Sequence, residues 1–380
     1  MSGRMKLIID TDPGVDDAMA ILCAFQSASV EVIALTTIFG NVPTPLATAN
    51  ALRLVEMAGV GHKVPVCQGA TVSSIGAAKL RIADFVHGSD GFGNTLPPAP
   101  TGVALVTPAA QFIVQAINAA PGEITLLALG PLTNIAAALA LDPGIASKWA
   151  TLVILGGAFF CNGNVNPAAE ANIFGDPQAA DAVMAAVAVA PAGGVNIPLT
   201  ATASSLSATP EPHDSSNGSS SSGGGGGSSV PPPAHGVTAG LSASGPSKPQ
   251  HCSGAVRVVG LDVTHSCLMT AAQLDHLASC GPVGSFVHSI AQFYLGYHRS
   301  AYQQDSIFLH DPTAFVAGPG MGHTIVDASL REWIGSNPWT ERGKVDVATA
   351  VDAPAVVQIV MELLAAQGPT MAASAPPLCA

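Results

Sequence analysis

Asp10, Asp12, Asp16 and Asp17 fall within eight positions of a 380-residue chain in which only 10% of residues are charged. Ionised carboxylates this close repel one another unless protons or a cation intervene. A hard divalent cation such as Ca²⁺ or Mg²⁺, which takes oxygen ligands, is the simplest remedy. A helix cap would account for one or two of the acids, because Asp16 and Asp17 are favourable at the positive end of a helix. It does not account for four, and the group reads as a metal or catalytic site.

The elements that must position these acids are legible on either side. Met5, Leu7, Ile8 and Ile9 form an apolar run that reads as a buried strand, Pro13 and Gly14 break the chain, and residues 18–25 read as a helix. The carboxylates thus gather where a strand ends and a helix begins, which is where open parallel α/β sheets place ligands. The pattern recurs along the chain. Strands are expected at 6–10, 31–37, 64–67, 123–129, 151–155, 256–262 and 345–351. Helices are expected at 16–27, 45–58, 108–119, 132–141, 177–187, 271–279, 282–298 and 353–364, with a further turn-to-helix junction at His310. Such alternation predicts an α/β fold, a single domain over 1–380 with a mostly parallel central sheet flanked by helices.

Between residues 190 and 254 the composition shifts to Ser, Gly, Pro and Ala, with five consecutive glycines at 223–227. Too few large apolar side chains occur there to offset ordering entropy, so this segment is expected to be a disordered insertion within the domain. Residues 367–380 read as a flexible tail, and Trp333 and Trp339 as packing anchors.

Hydrophobic residues make up 48% of the chain and aromatics only 5%, so Ala, Val, Leu and Ile must fill the core. A net charge of −12 makes a nucleic-acid backbone a poor partner. The seven cysteines (Cys23, Cys67, Cys161, Cys252, Cys267, Cys280 and Cys379) show no CxxC pair and no zinc spacing, and read as reduced thiols. Asp10 interrupts the first apolar run too early for a secretory segment. The apolar stretch 124–141 is broken by Gly130, Pro131, Thr133 and Asn134, so no membrane span is expected. These features predict a soluble, cytoplasmic protein.

Other polar clusters also follow strands: Asn41 after 31–37, Thr133 and Asn134 after 123–129, Asn164, Glu170 and Asn172 after 151–155, and His310 and Asp311 much later. Each alone reads as well as a turn or cap residue. In a parallel sheet the strand ends share one edge, and together these residues would line a pocket suited to a polyhydroxylated ligand such as a sugar.

The run Asp10-Thr11-Asp12-Pro13-Gly14-Val15-Asp16-Asp17 resembles the signature of the inosine-uridine nucleoside hydrolase family. Thr37 to Asn41, Val86-His87-Gly88, Gly130 to Asn134, Asn164 to Asn172 and His310-Asp311-Pro312 match further blocks of that family in order. Residues 80–88 and 166–177 are similar to the plant uridine ribohydrolases. The resemblance covers roughly 5–188 and 256–366 and fails across the low-complexity segment.

The resemblance implies one Ca²⁺ held by Asp12, Asp17, the Thr133 carbonyl and Asp311, with Asp12 also the general base for the attacking water. It implies that Asp16, Asn164, Glu170 and Asn172 bind ribose hydroxyls, that Asn41 helps set this shell, and that Asp10 supports the ligands from behind. His310 would protonate the departing base, and His87 would face the base from another loop. Tyr297, His298 and Tyr302 are candidates for the base pocket, since aromatic faces stack on bases. The expected reaction is hydrolysis of a ribonucleoside, uridine first and inosine or xanthosine next, to base and ribose by a homodimer. Two rivals remain at this point. A haloacid-dehalogenase-type Mg²⁺ phosphohydrolase would use Asp10 as nucleophile and Asp12 as acid–base. A catalytically inactive nucleoside-binding partner subunit would lack the base or a metal ligand.

Overall fold

Apolar side chains alternate between two cores along the first strand, and that alternation organises the molecule. In the computed structural model Met5–Thr11 forms β1, with Leu7 and Ile9 in one core and Ile8 in the other. The structure describes residues 3–76, 82–187, 254–317 and 345–366. Residues 190–253 of the low-complexity segment, the tail (367–380), Trp333 and Trp339 lie outside them. The remaining strands are β2 (Val30–Thr37), β3 (Val66–Gln68), β4 (Ile124–Ala128), β5 (Thr151–Leu155), β6 (Ala255–Val259), β7 (Leu268–Thr270), β8 (Ser306–Phe308) and β9 (Asp346–Ala348). The helices are α1 (Val15–Gln26), α2 (Thr44–Met57), α3 (Asp84–His87), α4 (Ala109–Ala119), α5 (Thr133–Leu141) and α6 (Ala171–Gly175). They continue with α7 (Pro177–Val187), α8 (Leu261–Thr264), α9 (Ala271–Ala278), α10 (Pro282–Ala301), α11 (His310–Ala317) and α12 (Ala353–Ala365).

Seven strands make one sheet in the order β3-β2-β1-β4-β5-β6-β9, with every neighbouring pair parallel. Helices cover both faces. Leu127 and Val153 join the core that holds α1, α10, α11 and α12, whereas Leu126 and Leu152 join the core that holds α4, α5 and α7. A strand covered on both faces needs apolar residues at consecutive positions, which is why these segments read as unbroken apolar runs.

The strand order reverses between β1 and β4, and Asp10 pairs in register with Thr36 of β2 on one side and Ala128 of β4 on the other. The crevice outside the carboxyl ends at such a switch point is the ligand site of this architecture. The 12–17 loop and the 130–133 turn flank it.

Some expectations are corrected. The strand expected at 256–262 ends at Val259; Gly260 stops it and Leu261–Thr264 turns as α8. There the Asp262 carboxylate accepts the Phe159 and Phe160 N–H groups at 2.9 and 2.6 Å. Helix α10 runs three residues past His298 to Ala301. An antiparallel ribbon of β7 and β8, with Leu268 opposite Phe308, went unread because three-residue strands carry too little periodicity to detect. It delivers the chain into α11 at His310. Among the described residues no helix is long and apolar enough to cross a membrane, and Cys23, Cys67, Cys161, Cys267 and Cys280 are free thiols.

Candidate active site

The loop from Thr11 to Asp17 is folded around one carboxylate. Asp17, fully buried in the first turn of α1, accepts hydrogen bonds from the Thr11 hydroxyl, the Asp12 N–H (3.3 Å), the Gly14 N–H (3.0 Å) and the Asn41 amide (2.9 Å). Asn41 also donates its backbone N–H to Asp12 Oδ2, so one residue beyond β2 orients two acids, one just after β1 and one in α1. Asp10 sits behind them. Its Oδ1 accepts from Thr36 Oγ1 (2.6 Å) and from the Asn134 amide (2.8 Å). Asn134 further bonds the Thr37 carbonyl and the Ala70 N–H, tying three strand ends together.

Asp311, in the first turn of α11, comes in from the far end of the chain. Ligand oxygens of Asp16, Asp17 and Asp311 lie within 4.8 Å of one another, and all three residues are buried. Burial, then the charges of Asp16, Asp17 and Asp12, pushes the Asp311 carboxyl well above the usual carboxylate range. Burial and the Asp17 charge raise Asp16 to about 7. Burial raises Asp17 as well, and lifts Asp10 to about 7 against its two hydrogen bonds. Asp16 Oδ1 and Asp311 Oδ1 are buried without a hydrogen-bond partner. Buried, oxygen-only and strongly acidic, the cluster suits a hard cation, which would neutralise it and occupy those oxygens.

A cavity opens from this cluster to solvent. Asp16, Asn41 and Asp311 form its floor with Asn164, Glu170 and Asn172, while Asp12 and Asp17 lie outside the lining. Its other wall is aromatic: Phe85, Tyr294, Tyr297, His298, Tyr302 and Phe308. Wall and floor make an amphipathic cleft, polar enough for a sugar and flat-sided enough for a planar ring.

The inosine-uridine preferring nucleoside hydrolase family model matches residues 7–237 and 241–358. The chain belongs to that family. A probable uridine nucleosidase of Arabidopsis thaliana is 38% identical over 381 residues, covering 95% of this chain and 98% of the relative. Among solved structures, a plant nucleoside hydrolase superposes with a TM-score of 0.74 at 37% identity, covering 95% of this chain and 99% of the other. A purine-preferring ribonucleoside hydrolase from Gardnerella vaginalis gives a TM-score of 0.71 at 25% identity, covering 95% and 98%.

A ribonucleoside hydrolase is therefore the enzyme class, and the phosphohydrolase reading falls away. Among the described residues no lysine or arginine lines the cavity to clamp a phosphoryl group. The match also runs through most of residues 190–254, farther than the motifs reach.

The structure of the nucleoside hydrolase brings every anticipated residue to this one edge, but several are engaged in ways the sequence does not show. Glu170 caps α6, its oxygens accepting the Asn172, Ile173 and Gly157 N–H groups at 2.8, 3.0 and 3.1 Å. The Asn172 amide donates to the Leu129 and Leu155 carbonyls, and Asn164 Oδ1 accepts the Ala171 N–H. His87 Nδ1 accepts the Val15 N–H at 3.2 Å, which leaves the proton on Nε2. Its 3.8 Å approach to Asp16 through that same nitrogen is therefore no ion pair. His298 Nδ1 bonds the Tyr294 carbonyl within α10 and its Nε2 accepts the Phe308 N–H of β8, so both nitrogens are engaged and the ring is what it offers the cavity. Burial, then neighbouring His265, His298 and His87, hold His310 well below the ordinary imidazole range, with Nδ1 2.8 Å from the Thr264 hydroxyl.

Tyr294 went unread, although it lies three and four residues before Tyr297 and His298, the spacing that puts side chains on one helix face. It is buried and stacks on His87 at 5.4 Å between ring centroids. Asn50, whose amide bonds the Pro13 and Asp90 carbonyls, and Asp176 also hold the site together. A buried polar residue within a helix gives no sequence signal, and Asp176 before Pro177 reads as an ordinary cap.

Two glycines make room for Asp12. A Cβ on Gly40 would stand 1.8 Å from Asp12 Oδ2, and one on Gly130 would stand 2.6 Å from Asp12 Oδ1. Gly40→Ala is expected to lower nucleoside hydrolysis by about 10²-fold or more while the chain stays folded, since a misplacement near 1 Å has that effect. Gly61→Ala, whose Cβ meets nothing nearer than 3.8 Å, is the control. Equal activity in the two variants, by ribose release, would refute this role for Gly40.

Proposed function

We propose that this ribonucleoside hydrolase cleaves uridine to uracil and ribose with a bound Ca²⁺. The observation that carries the proposal is the cleft itself, in which buried carboxylates and amides face an aromatic wall. Asp12, Asp17, Asp311 and the Thr133 carbonyl would hold the ion. Asp16 lines the cavity and would take a ribose hydroxyl together with Asn164 and Asn172. A cation there would lower the pKa of a nearby water and so make it easier to deprotonate near neutral pH.

Asp12 takes the proton of the attacking water as it adds to C1′. Cleavage of an N-glycosidic bond leaves positive charge on C1′ and the ring oxygen, by analogy with the oxocarbenium character of O-glycoside hydrolysis, and the carboxylate floor stabilises it. At the opposite wall the base departs as an anion needing a hydrogen bond. His310, held neutral by burial, supplies an N–H rather than a standing positive charge. His310→Ala is expected to slow uridine hydrolysis by about 10²–10⁴-fold. It should slow a riboside whose leaving group departs unprotonated, such as p-nitrophenolate, by far less. Equal losses on both substrates would refute the assignment.

Uridine is favoured by the name of the Arabidopsis thaliana relative, probable uridine nucleosidase. The purine-preferring structural relative makes inosine and xanthosine the second reading. Ribose release from uridine, inosine, xanthosine, cytidine and adenosine decides between them, with the highest kcat/KM expected on uridine. A higher value on inosine or xanthosine would move the assignment to purine nucleosides.

A further inference from the structure

The 130–133 turn supplies one wall of the Asp12 pocket, so whatever fixes that turn fixes the site. Gly130 lies against Asp12, and a Cβ on Gly40 would also meet Pro131 Cδ at 3.2 Å. On its other side the turn rests on the junction of α6 and α7, where a Cβ on Gly175 would stand 2.6 Å from Pro131 Cγ. Next to that contact is Asp176, fully buried. Its Oδ2 accepts from the Thr133 hydroxyl at 2.7 Å and the Ser74 N–H at 2.6 Å, and its Oδ1 from the Ser74 hydroxyl at 2.7 Å and the Ala179 N–H at 3.0 Å. A single carboxylate thus joins the start of α5, the loop after β3 and the start of α7.

We infer that Asp176 is a positioning residue that clamps the 130–133 turn against Asp12 and, through the Thr133 hydroxyl, sets how tightly the cluster holds its cation. This rests on the metal reading of the site. Asp176 touches neither substrate nor cation. It acts by fixing where the Thr133 backbone points, because a hydroxyl held at 2.7 Å by a buried carboxylate leaves α5 little freedom to turn. Partners behind a metal ligand commonly change metal affinity by about 10–100-fold.

The test uses the full chain stripped of metal, with the Ca²⁺ dissociation constant measured by titration calorimetry for the parent, Asp176→Asn, Thr133→Val and Ser74→Ala, alongside thermal melts and kcat and KM for uridine. Thr133→Val removes only the proposed link and keeps the variant set informative if Asp176→Asn does not fold. The expected result is Ca²⁺ affinity weakened about 10–100-fold in Asp176→Asn and Thr133→Val, no further loss in the double variant, and less than threefold change in Ser74→Ala. Ca²⁺ affinity within twofold of the parent in folded Thr133→Val would overturn the inference while leaving the metal reading intact. Ser74→Ala reproducing the full loss would show a merely structural tie and would overturn it as well. A parent chain that binds no divalent cation would overturn both.

Discussion

Asp12→Asn is expected to lower kcat for uridine by about 10²–10⁴-fold at saturating cation, with KM changed far less, because the amide cannot take a proton from water. Asparagine keeps the shape of the side chain, so it fits the space that Gly40 and Gly130 leave, where a larger residue would not. The role follows from placement. Asp12 is fully buried, its Oδ2 is oriented by the Asn41 N–H, and its charge is felt at Asp311 from 299 positions away in sequence. Asp12 is not itself among the residues that line the cavity, whereas Asp16 and Asp311 are. Steady-state kinetics with the five nucleosides checks this. A kcat within tenfold of the parent would remove Asp12 from proton transfer, and retained nucleoside binding with lost turnover would also exclude a non-catalytic binding subunit.

Asp311→Asn should separate the stability of the protein from its activity. Without a cation, three buried carboxylates within 4.8 Å oppose one another, and two of their oxygens have no hydrogen-bond partner. An amide at this position avoids both that repulsion and the proton uptake that relieves it, so the metal-free variant should melt above the metal-free parent. The parent should then gain several degrees on addition of Ca²⁺, about 2.7 kcal/mol at a hundredfold excess over its dissociation constant. The variant should gain almost nothing and should lose hydrolysis. Thermal melts with and without Ca²⁺ measure both effects. A variant that melts lower than the parent when metal-free would mean that Asp311 contributes structure, not cation binding.

The sheet was legible because strands buried on both faces must be apolar at successive positions, as in Ile8, Leu126 and Leu152. The acidic loop was legible because four carboxylates in a weakly charged chain call for a counter-charge. Convergence was legible in part, since parallel strands bring their carboxyl ends to one edge and carry Asn41, Thr133 and Glu170 there, whereas Asp311 arrives through the antiparallel β7–β8 ribbon.

The division of labour among those residues was not. Glu170 and Asn172 spend hydrogen bonds on backbone groups at the strand ends, and His298 spends both nitrogens on α10 and β8. Such choices depend on which backbone groups happen to lie unpaired nearby, which no local pattern encodes. Asp176 and Asn50 act across long sequence separations: Asp176 bonds Thr133 across 43 positions, and Asn50 bonds Pro13 across 37 and Asp90 across 40. The ribbon of β7 and β8 is set by tertiary packing around α10 and not by its three-residue strands.

The central claim is that the aspartate cluster works through a divalent cation on a nucleoside. Ribose release from uridine, followed before and after chelation and again after addition of Ca²⁺, tests it most directly. The expected result is full activity in the parent, its loss in chelator and its return with Ca²⁺, with no return in Asp17→Ala. Uridine hydrolysis that proceeds unchanged in chelator, after exhaustive dialysis, would contradict it.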